Sequence, residues 1–297
     1  MALAGDGDSD EGQARWWWRV SMNPIEPCPA CQGEQFVCAV VVDSATVWRC
    51  VACGLGVTIP PPSQADGREQ FADDPAYFAL AYAQPKDRWW HRFAVAPLEA
   101  LEASGVGPGR RFLDVGCNLG YLVEAAKRRG YHARGLDGSS AAVAFGRESL
   151  GLDLTHTRIE SARVDPASQD VIVLNHVLEH LPDPGAVVRL VRGWLRPGGL
   201  LLICLPNFAS PIARFAGARW AGLVPAQHIW HFTPAALRHL VATTGFAEVR
   251  LQTRMLTYVP EGAKGWTLYA IRRILEVVGQ ADNLILVARK LTDECPA

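Results

Sequence analysis

The sequence predicts an α/β fold, in which helices cover both faces of a mainly parallel sheet, with a small cysteine-rich domain before it. From residue 110 onward, seven short apolar runs alternate with amphipathic helical stretches, a pattern typical of parallel sheets covered by helices. Five of the eight cysteines lie between residues 28 and 53, which indicates a separate unit near the N-terminus. A chain of 297 residues can hold one large domain and such a companion.

The composition excludes several classes of protein. There are 29 Lys+Arg against 30 Asp+Glu, so no overall positive field attracts a phosphate backbone, and we expect no general nucleic-acid binding. A charged fraction of 20% and an ordinary aromatic content of 9% exclude a wholly disordered chain. No apolar run approaches the ~20 residues of a membrane helix, so we expect no transmembrane span. The N-terminus lacks a basic start followed by an apolar stretch, so we expect a cytoplasmic protein with reduced cysteines.

The first elements along the chain are an acidic tail and the cysteine cluster. We expect residues 1–20 to form a flexible tail and residues 21–62 to form the small domain, which ends at three consecutive prolines. Two C-x-x-C turns with 18 residues between them predict a closed tetrahedral zinc site formed by Cys28, Cys31, Cys50 and Cys53. Such a zinc ribbon leaves no ligand position for water, so its expected role is structural. A redox dithiol pair is the alternative, disfavoured because no βαβ pattern surrounds either turn.

A helical connector and the large domain follow. Residues 63–105 are expected to form a helical connector, with helical periodicity over 68–105. The connector ends in a glycine-rich segment, which separates it from a domain at 106–291. Strand-like runs occur at 111–115, 132–136, 152–155, 170–175, 199–205, 246–252 and 284–289, and helix-like stretches at 119–129, 140–150, 184–195 and 234–244. Two insertions rich in apolar residues, which we expect to cover the site, lie at 208–224 and 255–279.

The loop after the first strand of the large domain indicates the ligand. This strand runs into FLDVGCNLG at 112–120, where a glycine turn at a helix N-terminus presents unpaired backbone N–H groups. A dinucleotide-binding loop is the obvious competitor, but the G-x-G-x-x-G spacing is missing, and Asp114 would repel a pyrophosphate and attract a cation. Asp137 ends the second strand 21 residues after Gly116, where a carboxylate can accept both ribose hydroxyls. A ribose and a cationic amino acid together describe S-adenosylmethionine.

With three later segments, these residues make the chain resemble the class I S-adenosylmethionine-dependent methyltransferases over about residues 68–291. The later segments are NHVLEHLPDP at 175–184, LRPGGLLLICLPN at 195–207 and HIWHFTPAAL at 228–237. The resemblance implies a Rossmann-like sheet of seven strands with a reversed terminal hairpin. Asn118 departs from the family, because it replaces the usual middle glycine of the loop. The cofactor-binding residues that the resemblance implies are Asp114, Gly116, Cys117, Asn118, Leu119, Gly120, Asp137, Gly138, Arg158, Ile159, Asn175 and His176.

One segment matches a metallopeptidase pattern. His176, Glu179 and His180 form H-x-x-E-H, which on a helix would place two histidines on one face, as zinc peptidases require. We disfavour a peptidase because the segment leaves a strand and two prolines cut it short. Ubiquinone-pathway O-methyltransferases resemble the chain here and hold a divalent ion with acidic residues and a histidine, but His176 stands where an acid is expected. We favour the interpretation that Glu179 and His180 brace the turn at the site entrance.

Methyl transfer to a hydroxyl needs a base, and histidines are the candidates. His228 and His231 lie in a loop before a predicted helix, with His228 slightly favoured, and His176 borders the expected position of the methyl group. The alternative for His228 and His231 is that they only order the loop. The candidate catalytic residues are therefore His228, His231 and His176.

The acceptor is expected to be a small molecule. The two C-x-x-C turns together with Gln227-His228 resemble bacterial deoxysugar C-methyltransferases, whose further C-terminal domain has no counterpart here. The resemblance implies a sugar or other small acceptor. We favour O-methylation over C-methylation. The alternatives are a zinc-containing rRNA methyltransferase, disfavoured by the charge balance, and a non-catalytic zinc-ribbon scaffold, disfavoured by the intact Asp114 and Asp137. Arginines in the insertions either bind an acceptor phosphate or form a solvated face: Arg214, Arg219, Arg272 and Arg273. The oligomeric state is not indicated by the sequence.

Overall fold

The computed structural model describes residues 27–62, 89–255 and 262–292. The predictions for the tail at 1–20 and for the first part of the helical connector, residues 63–88, lie outside the described residues. Within the three described ranges, no helix combines the length and the apolar composition that crossing a bilayer requires.

The large sheet has seven strands, as predicted. In chain order they are β4 (Arg111–Val115), β5 (His132–Asp137), β6 (Leu154–His156), β7 (Gln169–Asn175), β8 (Leu195–Pro206), β10 (Phe246–Arg254) and β11 (Asn283–Lys290). Their spatial order is β10-β11-β8-β7-β4-β5-β6. The pairs β4–β5, β5–β6, β4–β7 and β7–β8 are parallel, while β11 runs antiparallel to both β8 and β10. This confirms the reversed terminal hairpin, and the strand order reverses beside β4, where ligands of such sheets bind.

Seven α-helices are described. They are α1 (Trp89–Glu102), α2 (Tyr121–Arg128), α3 (Ser140–Leu150), α4 (Pro184–Trp194), α5 (Pro211–Ala216), α6 (Pro234–Thr243) and α7 (Gly262–Val277). Local sequence explains where several of them begin. The side chains of Ser139, Asp183 and Thr233 each accept a hydrogen bond from a backbone N–H in the first turn of α3, α4 and α6. Proline occupies the first turn of α4, α5 and α6, where its missing N–H costs nothing.

A second sheet of four strands contains the cysteine-rich segment. Its strands β1 (Phe36–Val42), β2 (Ala45–Cys50) and β3 (Gly56–Ile59) form an antiparallel meander. The fourth, β9 (Trp230–His231), comes from the large domain and pairs antiparallel with β3. The sequence does not predict this strand, because two residues are too few to show a periodicity.

The two faces of the large sheet are buried by different elements. Residues such as Phe112, Val171 and Ile285 pack with α1, α2 and α3 on one face. Ile172 and Leu174 point to the other face, in one hydrophobic cluster with α4, α6 and buried residues of the cysteine-rich segment. That segment is therefore packed onto the large sheet, and its contacts with β9 continue this packing.

Candidate active site

The loop between β4 and α2 is shaped by positive φ angles. Gly116 has φ +77° and Gly120 has φ +89°, a region that favours glycine. A Cβ on Gly116 would lie 2.5 Å from Cγ2 of Val177, so only glycine fits between the two loops. Asn118 adopts the same left-handed region (φ +49°), and its Oδ1 accepts a hydrogen bond from Leu119 N at 2.8 Å. No side chain caps α2 at Gly120, so its first backbone N–H groups suit an anionic or polar ligand.

Two other residues of this loop face inward. Cys117 and Leu119 are buried, with 6% and 1% of their surfaces exposed. Burial raises the pKa of the Cys117 thiol well above its ordinary value, so this thiol is neutral at physiological pH. Both residues can therefore offer a ligand only their backbone.

Asp114 is a buried carboxyl group that lacks a hydrogen-bond partner on one oxygen. It lies at the end of β4 with 2% of its surface exposed, and its Oδ1 accepts no hydrogen bond. Burial, and then the nearby Asp137, raise the pKa of Asp114 to about 8. A cation beside this oxygen would stabilise the ionised form, so the site fits the ammonium group of S-adenosylmethionine.

Asp137 joins the loops that follow β4 and β5. Its Oδ2 accepts from Asn118 N at 2.7 Å, and its Oδ1 accepts from Ser139 N at 2.8 Å. Burial raises the pKa of Asp137, and these backbone hydrogen bonds oppose the rise. Each carboxylate oxygen can accept a further hydrogen bond, as the ribose hydroxyls require. A Cβ on Gly138 would meet nothing within 4 Å, so the space beside Asp137 is open.

Arg158 and Ile159, which the resemblance to methyltransferases places beside the adenine of the cofactor, follow β6. Thr157 N donates to the backbone carbonyl oxygen of Asp137 at 2.8 Å, which joins this segment to the end of β5. Arg158 is exposed, and Ile159 is 9% exposed and packs in the core. A core contact and an adenine contact are both compatible with this burial of Ile159.

The turn after β7, residues 175–181, carries His176, which is both a predicted cofactor-binding residue and a candidate base. His176 has φ +56°, which is uncommon for a residue with a side chain and is frequent at functional turns. Its backbone N donates to Cys204 O at 2.8 Å, and its Nδ1 lies 3.1 Å from Glu179 Oε1. Only residues 178–180 form a single 3₁₀ turn, so His176 and His180 do not share an α-helical face as in a zinc peptidase.

Glu179 is the centre of a group of histidines. It is 1% exposed, and its Oε2 has no hydrogen-bond partner. Burial alone would raise the pKa of Glu179, but the hydrogen bond from His176 and the charges of His176, His180 and His228 hold it at about 2. Ligand atoms of Glu179, His180 and His228 lie within 4.8 Å of one another. Because Glu179 is ionised at neutral pH, Nδ1 of His176 carries the hydrogen of their bond, which leaves Nε2 as the basic nitrogen.

His228 and His231 lie in a strap, defined as residues 227–233, between the cysteine-rich segment and the turn after β7. They are 7% and 3% exposed, and burial lowers the pKa of His228 to about 4 and that of His231 to about 3. Thr58 donates its hydroxyl hydrogen to His228 O at 2.8 Å and lies 2.9 Å from His231 Nε2. A hydroxyl has one hydrogen, so Nε2–H of His231 donates to Thr58 and is not available to take a proton.

Thr58 is a site residue that the sequence analysis missed. It is fully buried in β3 between Val57 and Ile59. The sequence could have indicated it by a hydroxyl residue within a short apolar strand, because a buried polar group needs a hydrogen-bond partner.

A cavity of about 300 Å³ lies between α1, α7 and the adjoining ends of β7, β8 and β11. The Oδ1 atoms of two residues of its wall, Asn175 and Asn283, are buried without a hydrogen-bond partner. Arg254 and Arg273 also line it, and both pair with Glu276, at 2.8 and 3.1 Å.

The four arginines of the insertions differ in position. Arg273 lines the cavity, whereas Arg214 and Arg219 are exposed and lie outside it. The side chain of Arg272 lies outside the described part of the chain. Only Arg273 is therefore seen to reach a candidate acceptor site.

The four predicted zinc ligands come together. Sγ of Cys28 lies 3.7 Å from that of Cys53, Sγ of Cys31 lies 3.6 Å from that of Cys50, and all four lie within 4.8 Å of one another. A tetrahedral ion with Zn–S bonds of about 2.3 Å requires sulfur separations of about 3.8 Å. The thiol of Cys53 donates to Cys28 and lowers the pKa of Cys28 to about 5, which favours a thiolate there. The donor set and its geometry fit a structural zinc ion.

The sheet order, the glycine turn at the end of β4 and the carboxylates of Asp114 and Asp137 define a class I S-adenosylmethionine-dependent methyltransferase. The chain belongs to the methyltransferase-domain family, whose family model matches residues 66–251.

Two relatives are ubiquinone biosynthesis O-methyltransferases. The protein from Aeromonas salmonicida (strain A449) is 31% identical over 170 residues, which cover 50% of this chain and 66%, just under two thirds, of that protein. The protein from Xanthomonas campestris pv. campestris (strain B100) is 30% identical over 195 residues, which cover 58% of this chain and 79% of that protein.

One solved structure is that of 1,6-didemethyltoxoflavin-N1-methyltransferase from Burkholderia thailandensis, with bound 1,6-didemethyltoxoflavin and S-adenosylhomocysteine. It aligns with a TM-score of 0.51 at 15% identity, over 85% of this chain and 98% of its own. At this identity the likeness shows the shared fold.

Proposed function

We propose that the protein transfers a methyl group from S-adenosylmethionine to a hydroxyl group of a small polyhydroxylated acceptor, such as a sugar, with His176 as the general base. The observation that carries this proposal is the hydrogen bond between His176 Nδ1 and the buried, ionised Glu179 at the end of β7. A carboxylate on one ring nitrogen orients an imidazole and strengthens the other nitrogen as a base.

His176 is favoured over the two other candidate histidines. His228 and His231 are buried, and the pKa of each is lowered by burial, which weakens both as bases. His231 also donates its Nε2–H to Thr58. A quarter of the His176 side chain is exposed, more than for His228 or His231, although its Nε2 atom is itself buried.

The cofactor supplies a methyl group on a sulfonium centre, and the chain holds it by polar contacts. Asp114 balances the ammonium group, and Asp137 accepts the ribose hydroxyls. The backbone of residues 116–119 borders the methionine part. Because the N–H groups of Cys117, Asn118 and Leu119 already donate within the protein, the N–H groups at the start of α2 are the donors to this part. Arg158 and Ile159 border the adenine. In-line displacement then needs chiefly alignment and exclusion of water, with His176 taking the hydroxyl proton of the acceptor at Nε2.

The acceptor site that we propose is the cavity beside α1 and α7. The Oδ1 atoms of Asn175 and Asn283 are hydrogen-bond acceptors without donors, and hydroxyl groups of an acceptor would supply them. Arg254 and Arg273 are balanced by Glu99 and Glu276, so the wall is close to neutral, which suits the uncharged hydroxyl groups of a sugar. The relatives named above act, by their names, in O-methylation.

We also propose that the cysteine-rich segment is a zinc ribbon spanning residues 21–62. The metal would cross-link a unit of about 40 residues, which is too small to be stable by its hydrophobic core alone. Four protein ligands leave no open position, so zinc takes no part in the reaction.

The proposed function is tested with labelled S-adenosylmethionine and three acceptors: thymidine diphosphate glucose, methyl glucoside and 3,4-dihydroxybenzoate. Mass spectrometry should show a methyl ether on a sugar hydroxyl. His176→Gln should lower kcat by roughly 10²- to 10⁴-fold, the usual contribution of a general base. His239→Gln is the control, because His239 is an exposed histidine on α6.

Three results would contradict parts of this proposal. Transfer of the labelled methyl group to 3,4-dihydroxybenzoate alone would refute the sugar acceptor. Unchanged kcat in His176→Gln would refute the assignment of the base. No transfer, together with no thermal stabilisation by S-adenosylhomocysteine, would favour the non-catalytic scaffold.

A further inference from the structure

We propose that Thr58, a residue of the ribbon, is a positioning residue for methyl transfer: it fixes the strap at residues 227–233, and the strap holds Glu179 in place for His176. The inference rests on the proposed function, because it takes His176 as the base. It makes the ribbon one wall of the active site.

The strap is bound to the ribbon along its length. In the pairing of β3 with β9, Val57 lies opposite Trp230 and Gly56 lies opposite His231. Thr58 N donates to Ile229 O at 2.9 Å. A Cβ on Gly56 would lie 2.9 Å from Cβ of His231, so the two strands are in close contact.

The hydroxyl of Thr58 makes two contacts that no apolar side chain can replace. It donates to His228 O at 2.8 Å and accepts from Nε2–H of His231 at 2.9 Å. The first fixes the backbone beside the ring of His228, and the second fixes one tautomer of His231. Thr58, His228 and His231 are all buried, so water cannot substitute for a lost hydroxyl without rearrangement.

The other side of the strap is bound to the turn after β7. Ile229 N donates to Glu179 O at 2.8 Å, and Trp230 Nε1 donates to Leu181 O at 2.9 Å. His180 Nδ1 lies 3.0 Å from Gln227 O, the acceptor of a third hydrogen bond.

These contacts link Thr58 to the proposed base in two steps. The strap fixes the backbone of Glu179, and the ring of His228 lies beside the Glu179 carboxylate. Glu179 Oε1 in turn accepts the hydrogen of His176 Nδ1. A strap displaced from the ribbon would move Glu179 and so change the orientation of His176.

The test compares three variants of the full-length, zinc-loaded protein. Thr58→Val keeps the volume but removes the hydroxyl, and Thr58→Ser keeps the hydroxyl. Thr46→Val is the matched control, because Thr46 lies in β2, opposite Val41 and Ile59 in the same sheet. Each protein is assayed for zinc content, affinity for S-adenosylhomocysteine and methyl transfer to thymidine diphosphate glucose. Nitrogen-15 spectra then report the tautomer of His231, and proton spectra report the downfield Nδ1–H of His176.

In Thr58→Val we expect the His231 Nε2–H tautomer to be lost and the His176 Nδ1–H resonance to weaken or shift. We expect kcat to fall roughly 10- to 100-fold, as for a small misplacement of a reacting group, with little change in KM. Zinc content and S-adenosylhomocysteine affinity should match the wild type. Thr58→Ser should restore both resonances and most of kcat, and Thr46→Val should behave as the wild type.

Wild-type resonances and kcat in Thr58→Val would overturn the proposal, as would failure of Thr58→Ser to restore them. If Thr58→Val loses zinc, Gly56→Ala is the second test, because it pushes on His231 without removing a hydroxyl; unchanged His176 and His231 resonances there would also overturn it. A wild-type protein inactive on thymidine diphosphate glucose would refute that acceptor, while the two histidine resonances would still decide the role of Thr58.

Discussion

Replacing Asp114 by asparagine should stabilise the cofactor-free protein. Burial raises the pKa of this carboxyl group to about 8, from 3.8 in the unfolded chain. The folded protein therefore keeps a proton that the unfolded chain releases, and this group makes stability fall as pH rises from about 4 to about 8. At pH 7 the cost is on the order of 4 kcal/mol. Asparagine avoids this cost, but it buries an unpaired amide, which costs about 1–3 kcal/mol. The net gain in the free energy of unfolding is therefore about 1–3 kcal/mol.

Thermal unfolding between pH 4 and pH 8 measures this effect. The gain corresponds to a rise in Tm of roughly 2–10 °C at pH 7. Towards pH 4 both proteins carry an uncharged group, so the advantage of the variant should disappear and leave only the cost of its buried amide. Asp153→Asn is the control, because Asp153 is an exposed carboxylate before β6. A Tm difference that does not depend on pH would refute the reasoning, and so would a variant less stable than the wild type at pH 8.

The same carboxyl group predicts a proton release on cofactor binding. A cation beside Asp114 favours its ionised form, so S-adenosylhomocysteine, which carries the same ammonium group, should displace about one proton at pH 7. Calorimetry in buffers of different ionisation enthalpy counts this proton. Asp114→Asn should release none and should bind more weakly; equal proton counts in the two proteins would contradict the contact.

Three further predictions concern the loops and the ribbon. Elemental analysis should find about one zinc ion per chain, lost in Cys50→Ser, and a folded wild-type protein without metal would contradict the ribbon. Asp137→Ala should weaken S-adenosylhomocysteine binding in calorimetry, because it removes the ribose acceptor and the partner of Asn118 N, and unchanged affinity would contradict the assignment. Gly116→Ala should reduce cofactor binding, because its Cβ would clash with Val177; Val177→Ala should restore part of it, and no restoration would indicate that backbone strain alone is responsible.

The alternation of apolar runs and helical stretches predicted all seven strands of the large sheet. The central strands β4, β7 and β8 are buried on both faces, so their apolar runs are nearly continuous and easy to recognise. The cysteine cluster was equally visible, because each C-x-x-C turn holds two thiols close together through local geometry. The pairing of β1 with β2 then brings the two turns together. The cytoplasmic location and the exclusion of nucleic acid stay predictions from composition.

The candidate site was harder to predict where it depends on distant pairing. Nothing in the sequence around Trp230 indicates that it pairs with Val57, because a two-residue strand has no periodicity. The H-x-x-E-H spacing placed His176, Glu179 and His180 in one motif. The role of Glu179, however, depends on its burial and on the approach of His228 from another loop. The pKa values of Glu179 and His228 therefore depend on their tertiary environments and not on residue type alone.

The pairing of β9 with β3 has a consequence for synthesis of the chain. Thr58 and His231 are 173 residues apart, and β9 covers an edge of β3 that is otherwise open for strand pairing. At ordinary translation rates the ribbon waits on the order of 10–30 s for β9 to emerge from the ribosome. During this interval its uncovered edge is open to pairing with another nascent chain, so the proposed zinc ion, by holding the ribbon closed early, would limit aggregation.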